Sequence, residues 1–146
     1  MSLSVSAIMT TEVITAPPTV PVRKALRLLE DLELRHLPVV DGDALVGILS
    51  DRDLREFRMD AIKELVEGGA FESGRSLDTP ISEVMSGLVI SVDTEESVRA
   101  AIDTMLEYGV GAVPVVDRAT GHLEGIVSYV DILRALREDL DDDDDD

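Results

Sequence analysis

The feature that most constrains this chain is an internal repeat. Pro38–Asp41 (Pro-Val-Val-Asp) recurs as Pro114–Asp117, 76 positions later, and Gly47–Asp53 recurs as Gly125–Asp131, 78 positions later. The two-residue difference falls between the paired pieces, where a hairpin turn accepts an insertion at small cost. Two copies of one small unit within 146 residues predict a fold made of two similar halves.

Each repeat has the pattern of a β-α-β-β-α unit. Short β-prone pieces at Val13–Thr15 and Val89–Ser91 come first. Strands are then expected at Leu37–Val40 and Leu45–Leu49, joined by an Asp41–Asp43 turn, and at Val113–Val116 and Leu123–Val127. Between and after these pieces, apolar residues recur at helical spacing. The predicted core-facing stripes are Val22, Ala25, Leu26 and Leu29; Leu54, Phe57, Ala61, Ile62 and Leu65; Val98, Ala101, Ile102 and Met105; and Ile132, Leu133, Leu136 and Leu140.

Local signals predict where these helices begin and end. Thr19 is the expected N-cap of the first helix, with Pro21 in its first turn and an end near Leu32. Asp93 and Glu96 have the spacing of a capping box for the third helix. Gly68 and Gly69 are expected to end the second helix.

These patterns predict an α/β (α+β) fold with four parts. They are repeat 1 with its C-terminal helix (1–69), a connector (70–79), repeat 2 (80–140) and a disordered acidic tail (141–146). A unit of about 60 residues buries little apolar surface alone. The two repeats are therefore expected to pack sheet to sheet with pseudo-twofold symmetry.

The charge balance limits the partners of this chain. Its 31 acidic and 13 basic residues give a net charge of −18, which repels nucleic-acid phosphates and argues against DNA or RNA binding. Such acidity is typical of proteins that work in concentrated salt, and an ordinary acidic protein is the alternative. The chain has no cysteine, and no signal peptide or membrane-length apolar run is seen, so a cytoplasmic location without membrane contact is expected.

The ordered motifs resemble a tandem pair of CBS domains, a Bateman module. The resemblance covers nearly all of Ser6–Leu136 and rests on Ile8–Thr10, Arg35–Asp41 and Gly47–Leu54 with their second-repeat partners. It implies a non-catalytic regulatory module that binds AMP, ADP, ATP or S-adenosylmethionine in clefts between the repeats and signals to an effector protein. It also implies that two modules pair into a homodimer and that the module requires no cofactor.

A Ser-x-x-Asp step occurs at a helix start in both repeats. Unpaired N–H groups and the helix dipole favour an anion there, a Ser hydroxyl can bind phosphate, and a carboxylate can accept the hydroxyls of a ribose. The resemblance implies ribose-binding roles for Asp53 and Asp131 and phosphate-proximal roles for Ser50 and Ser128. The alternative is that both pairs are ordinary N-caps.

The two predicted sites differ in charge. The resemblance implies that Arg35 and His36 occupy phosphate-binding positions at the Asp53 site, and Arg52 lies within the same Ser-x-x-Asp step, where Arg suits bidentate contacts. The equivalent positions of repeat 2 hold Gly111, Ala112 and Val130. By the resemblance, Val110, Gly111 and Ala112 would lie along an adenine at the Asp53 site, and Leu34, Arg35 and His36 along one at the Asp131 site. A phosphorylated nucleotide is therefore expected to prefer the Asp53 site.

Other functions have less support from the sequence. There is no nucleophile–base pair and no phosphate-binding glycine loop, so no enzyme activity is expected unless the chain is one piece of a complex. Two distant histidines without cysteine give no basis for a transition-metal site. A structural or interaction module with degenerate clefts, and an S-adenosylmethionine binder, remain as alternatives.

Overall fold

The computed structural model describes residues 3–67, 77–87 and 90–144. Their main elements are α1 (Val22–Asp31), β1 (His36–Asp41), β2 (Ala44–Ser50), α2 (Arg55–Glu67), β3 (Val92–Asp93), α3 (Val98–Tyr108), β4 (Ala112–Val116), β5 (Leu123–Ser128) and α4 (Tyr129–Asp144). Single 3-10 turns lie at Val5–Ala7 and Ile81–Glu83. The α+β class predicted from the sequence is confirmed.

The two predicted hairpins are present and share an irregularity. β1 pairs with β2 and β4 with β5, both antiparallel. The register shifts between Val39 and Val40 in one hairpin and between Val115 and Val116 in the other, which leaves one extra residue on the second strand of each. Gly42 in the predicted turn has a φ of +66°, a conformation that glycine adopts without strain.

The short opening strands differ from the prediction. Val13–Thr15 forms no strand, and Ala16 makes a single parallel bridge to Val39 instead. In repeat 2, the strand is Val92–Asp93, parallel to β4, rather than Val89–Ser91. Val89 lies outside the described residues. The strand positions follow from pairing with β1 and β4, which the local sequence does not encode.

Two helix caps also differ from the prediction. Pro21, not Thr19, is the N-cap of α1, and the Val22 N–H donates to the Thr79 carbonyl at 2.8 Å instead of to a side chain. Ser97 caps α3 by accepting the Ala100 N–H at 3.1 Å. Asp93 and Glu96 form a turn before this helix, in which Glu96 accepts the Asp93 N–H at 3.0 Å.

Asp93 also fastens a distant loop to this turn. Its carboxylate accepts the N–H of Arg118 at 2.9 Å and the N–H of Glu95 at 3.2 Å. These backbone donors, that of Arg118 above all, hold the pKa of Asp93 below its ordinary value. The carboxylate therefore stabilises the fold above its unfolded-state pKa, and this contribution is lost as the pH falls through the folded-state pKa.

The compact units cross the sequence repeats. One unit contains 14–89, and the other contains 1–13 together with 90–146. Val5 is buried in the core of the second unit, and Thr10 pairs with Ile126 through hydrogen bonds of 2.9 and 3.0 Å. Ser86 pairs with Ile48 in the same way in the first unit. The opening arm of each repeat thus packs on the hairpin of the other repeat, while the repeat boundaries themselves stay a prediction.

Each unit has its own apolar core. The cores contain all of the predicted stripe of α1 and the Ala101 and Met105 positions of α3. The stripes of α2 and α4 are only partly correct, because these helices bury their first residues and expose later ones. Leu54, Phe57 and Ile132 are buried, whereas Ile62, Leu65, Leu133, Leu136 and Leu140 are exposed.

α4 is described through Asp144. The disordered acidic tail (141–146) stays a prediction. Asp145 and Asp146 lie outside the described residues, as do Gly68, Gly69 and most of the predicted connector (70–76).

Gly47 and Gly125 provide a matched pair for testing how the arms pack. A Cβ at Gly125 would lie 2.8 Å from the Thr10 carbonyl oxygen as well as against Met9, whereas one at Gly47 would meet only the flexible end of Met85. We expect Gly125→Ala to lower the free energy of unfolding by about 1–3 kcal/mol, and Gly47→Ala to cost clearly less. Urea unfolding measures both. Equal losses would contradict the proposed difference in packing.

Candidate functional site

Ser50 and Asp53 form a reciprocal cap at the turn that leads into α2. The Ser50 N–H donates to Oδ2 of Asp53 at 2.9 Å, and the Asp53 N–H donates to Oγ of Ser50 at 3.2 Å. Asp53 is exposed. Among the residues that the structure describes, no partner contacts its other oxygen, Oδ1. One carboxylate oxygen therefore holds the backbone, and the other can accept hydrogen bonds from a ligand.

Ser128 and Asp131 repeat this geometry at the start of α4. The Ser128 N–H donates to Oδ2 of Asp131 at 3.0 Å, and the Asp131 N–H donates to Oγ of Ser128 at 3.2 Å. The Ser128 hydroxyl also lies 3.1 Å from Oδ2. Asp131 is buried, with 9% of its surface exposed, so this pair is more enclosed than Ser50 and Asp53.

Arg134 distinguishes the second site from the first. Its guanidinium lies 3.8 Å from Oδ1 of Asp131, an ion pair across one turn of α4. The equivalent residue of repeat 1 is Glu56. Arg134 was not among the residues predicted for this site, although a cation three residues after the aspartate is visible in the sequence. In the absence of ligand, both oxygens of Asp131 are engaged.

The first hairpin brings two predicted binding residues to the Ser50–Asp53 cap. His36 lies directly opposite Ser50 in the strand pairing, and the Asp51 N–H donates to the Arg35 carbonyl at 2.9 Å. In repeat 2, Ala112 lies opposite Ser128, and the Tyr129 N–H donates to the Gly111 carbonyl at 3.0 Å. The backbone is the same in both hairpins, while the basic side chains occur only in the first.

The charge state of His36 differs from what a phosphate-binding role would suggest. Burial of the imidazole lowers the pKa of His36 from its ordinary value of 6.5, the Arg35 charge lowers it further, and the Asp53 carboxylate partly opposes both. His36 is therefore neutral at pH 7 and acts there as a hydrogen-bonding group. Arg35 carries the positive charge beside this cap, and Arg52 is exposed within the turn.

The remaining candidate residues have varied surroundings. Leu34, Val110 and Gly111 are half-buried, Ala112 is buried, and Val130 is exposed. The assignment of Leu34, Val110, Gly111 and Ala112 to the adenine of one or the other site stays a prediction. Within the described ranges, no three His, Asp or Glu side chains are grouped so as to hold a metal ion. None of the described helices is both long and apolar enough to cross a bilayer.

Comparison with known proteins identifies both repeats. A family model for the CBS domain matches residues 5–60 and 81–138. The CBS domain-containing protein YhcV of Bacillus subtilis is 32% identical over 129 residues, covering 88% of this chain and 82% of YhcV. The chain spans only 44% and 48% of the length of two further relatives.

Solved structures of CBS pairs have the same fold. The CBS domain pair of protein MJ0100, in complex with 5′-methylthioadenosine and S-adenosyl-L-methionine, is 28% identical with a TM-score of 0.74, covering 95% of this chain and 99% of that one. CBSX2 in complex with AMP is 26% identical with a TM-score of 0.75, covering 92% and 96%. These neighbours bind adenosine-containing ligands.

The His36 environment predicts its titration. By NMR, we expect a pKa for His36 below 6.5, raised by Arg35→Gln, which removes a repelling charge, and lowered further by Asp53→Asn, which removes an attracting one. Because the unfolded chain binds this proton more tightly, stability from this group is full above pH 6.5 and declines as the pH falls below it. A His36 pKa above 6.5 would contradict the burial of the imidazole.

Proposed function

Because the chain belongs to the CBS domain family, as a tandem pair, we propose that it is a non-catalytic regulatory module that binds adenosine-containing ligands at its two Ser–Asp caps. The observation that carries this proposal is the exposed Asp53 carboxylate, which holds the backbone with Oδ2 and lies close enough to His36, as Arg35 does, to influence its charge. AMP, ADP and ATP share the ribose hydroxyls and phosphate that these groups would bind.

At the first cap, different groups would bind the ribose and the phosphate of a nucleotide. A carboxylate oxygen accepts hydrogen bonds from both ribose hydroxyls, and such charge-assisted bonds are stronger than neutral ones. The Arg35 guanidinium and the Ser50 hydroxyl would bind phosphate oxygens, with Arg52 as a further cation in the same turn. A bound phosphate would also favour protonation of His36, so nucleotide affinity should rise as the pH falls below 7.

The second cap favours a different ligand. Arg134 pairs with Asp131 at 3.8 Å, and the residues at Gly111, Ala112 and Val130 carry no charge. A ligand there would displace or share the ion pair and would find little to bind a phosphate. S-adenosylmethionine or an uncharged adenosine derivative is therefore the alternative ligand for Ser128 and Asp131. An interaction module without ligand is the second alternative.

The net charge and the family suggest where the protein works and what kind of partner it has. The net charge of −18 supports a cytoplasm of high salt concentration, where the self-repulsion is screened. The ligand state would be read by an effector protein, which the chain does not identify. No nucleic-acid or membrane role is proposed, because the acidic surface repels both phosphate backbones and anionic lipids.

Asparagine substitutions separate capping from binding. Asp53→Asn retains an oxygen for the Ser50 N–H but replaces the ligand-facing acceptor with a donor. We expect AMP affinity, measured by calorimetry, to fall roughly 10- to 100-fold, as for the loss of hydrogen bonds to a charged group. The matched Asp131→Asn variant should bind AMP nearly as well as the wild type. The opposite ranking would contradict the preference for the Asp53 cap.

We further propose that two copies pair through apolar helix faces. Leu65 is 87% and Val66 80% exposed on α2, and Leu133, Leu136 and Leu140 are exposed on α4. Burying such side chains against a second copy removes apolar surface from water.

Charged substitutions on these faces test the dimer. We expect Leu65→Glu with Leu136→Glu to weaken dimerisation at least about tenfold in sedimentation equilibrium, since burial of each leucine contributes about 1.5–3 kcal/mol. Leu106→Glu, at a 76% exposed position on α3, is the matched control and should leave dimerisation unchanged. A wild-type protein that stays monomeric at every concentration would rule the dimer out.

A further inference from the structure

A second surface, separate from the two caps, carries a concentration of positive charge. The exposed side of α1 lines an open groove of about 290 Å³. We call it the α1 groove, and it is lined by Pro21, Arg23, Lys24, Arg27, Leu28 and Asp31. Three of the 13 basic residues of the chain lie within these eleven positions.

The positions of these cations disfavour their own helix. Arg23 and Lys24 lie in the first turn of α1, which contains no acidic residue, although the chain has 31. The partial positive charge of a helix N-terminus repels cations there. Among the residues that the structure describes, Arg23, Lys24 and Arg27 take part in no ion pair.

The backbone N–H groups at the start of α1 are already hydrogen-bonded and cannot bind an anion in the groove. The Val22 N–H donates to the Thr79 carbonyl at 2.8 Å, and the Arg23 N–H donates to the Leu77 carbonyl at 2.9 Å. The N–H groups of the first turn are thereby used within the protein. Binding in the groove therefore falls to the side chains of Arg23, Lys24 and Arg27.

The chain also contains the complementary feature. α4 ends within the acidic run 141–146, and its last turn holds no basic residue. Carboxylates at this end add to the partial negative charge of a helix C-terminus, which is as unfavourable for α4 as the cations are for α1. Contact between the two helix ends would offset both repulsions.

We propose that the α1 groove binds the acidic run 141–146 of a second copy of this chain. The run supplies up to six carboxylates to Arg23, Lys24 and Arg27, which span about 6 Å of helix axis. Dimerisation through the exposed leucines is a different contact and does not depend on this one.

Self-association of the full chain tests this contact by sedimentation at 50 mM and 1 M NaCl. The groove variant carries Arg23→Gln, Lys24→Gln and Arg27→Gln. We expect it to self-associate at least tenfold more weakly than the wild type at low salt and to match the wild type at high salt. Its melting temperature should be unchanged or raised, because the substitutions remove unfavourable helix charges. A lowered melting temperature would indicate a structural role for the three cations and overturn the proposal.

Two controls make the result specific. Lys63→Gln, Arg99→Gln and Arg137→Gln change the net charge equally at other exposed positions and should leave self-association at the wild-type level. A tail variant with Asp141 to Asp146 changed to Asn should self-associate as weakly as the groove variant. A mixture of the two variants should recover part of the affinity, because one intact groove and one intact acidic run are then available. Equal loss in the charge control, or no recovery in the mixture, would overturn the proposal. So would equal self-association of wild type and groove variant, the result expected if an acidic partner peptide rather than a second copy fills the groove.

Discussion

The structure depends on two reciprocal Ser–Asp hydrogen-bond pairs, because each one shapes the turn at a helix start and fixes the direction of a carboxylate. At Ser50 and Asp53, the backbone bonds occupy only Oδ2. The same pair therefore fixes the direction of the carboxylate and leaves part of it for a ligand. A site prepared in this way loses little conformational entropy on binding, which is the general advantage of preorganisation.

The hairpins give these caps their different chemistry on one backbone. β1 and β4 place the residues before Pro38 and Pro114 beside the caps with the same register, so the basic side chains of the first hairpin are replaced by Gly111 and Ala112 in the second. Arg134 adds to this difference from the helix side. A duplicated unit can thus hold two ligands of different charge without a change of fold.

The exchange of opening arms makes the two repeats depend on one another. Thr10 completes the hairpin that contains Ile126, and Ser86 completes the one that contains Ile48. A single repeat without its neighbour would lack one bridge to its hairpin and part of its buried surface. This agrees with the general limit on the stability of units of about 60 residues.

Sequence patterns predicted the features that are set locally. The α1 stripe, both hairpins and the Ser–Asp steps have short-range signals, and all are present. The position of β3, the Ala16 bridge and the arm exchange are set by pairing with distant segments, which one sequence does not encode. The exposure of Leu65 and Leu136 was missed because helical periodicity marks an apolar face but not what covers it. The neutral state of His36 depends on burial and on the balance of Arg35 and Asp53, which only coordinates provide.

The central claim is that the caps bind adenosine-containing ligands, and the most direct measurement is a thermal-shift screen of the full chain in high salt. The ligands are AMP, ADP, ATP, S-adenosylmethionine and the matching guanine nucleotides. A ligand at 100 times its Kd stabilises the folded state by about 2.7 kcal/mol, enough to raise Tm by several degrees. We expect such a rise with at least one adenosine compound and none with guanine nucleotides. No rise with any adenosine compound, or an equal rise with both bases, would contradict the claim.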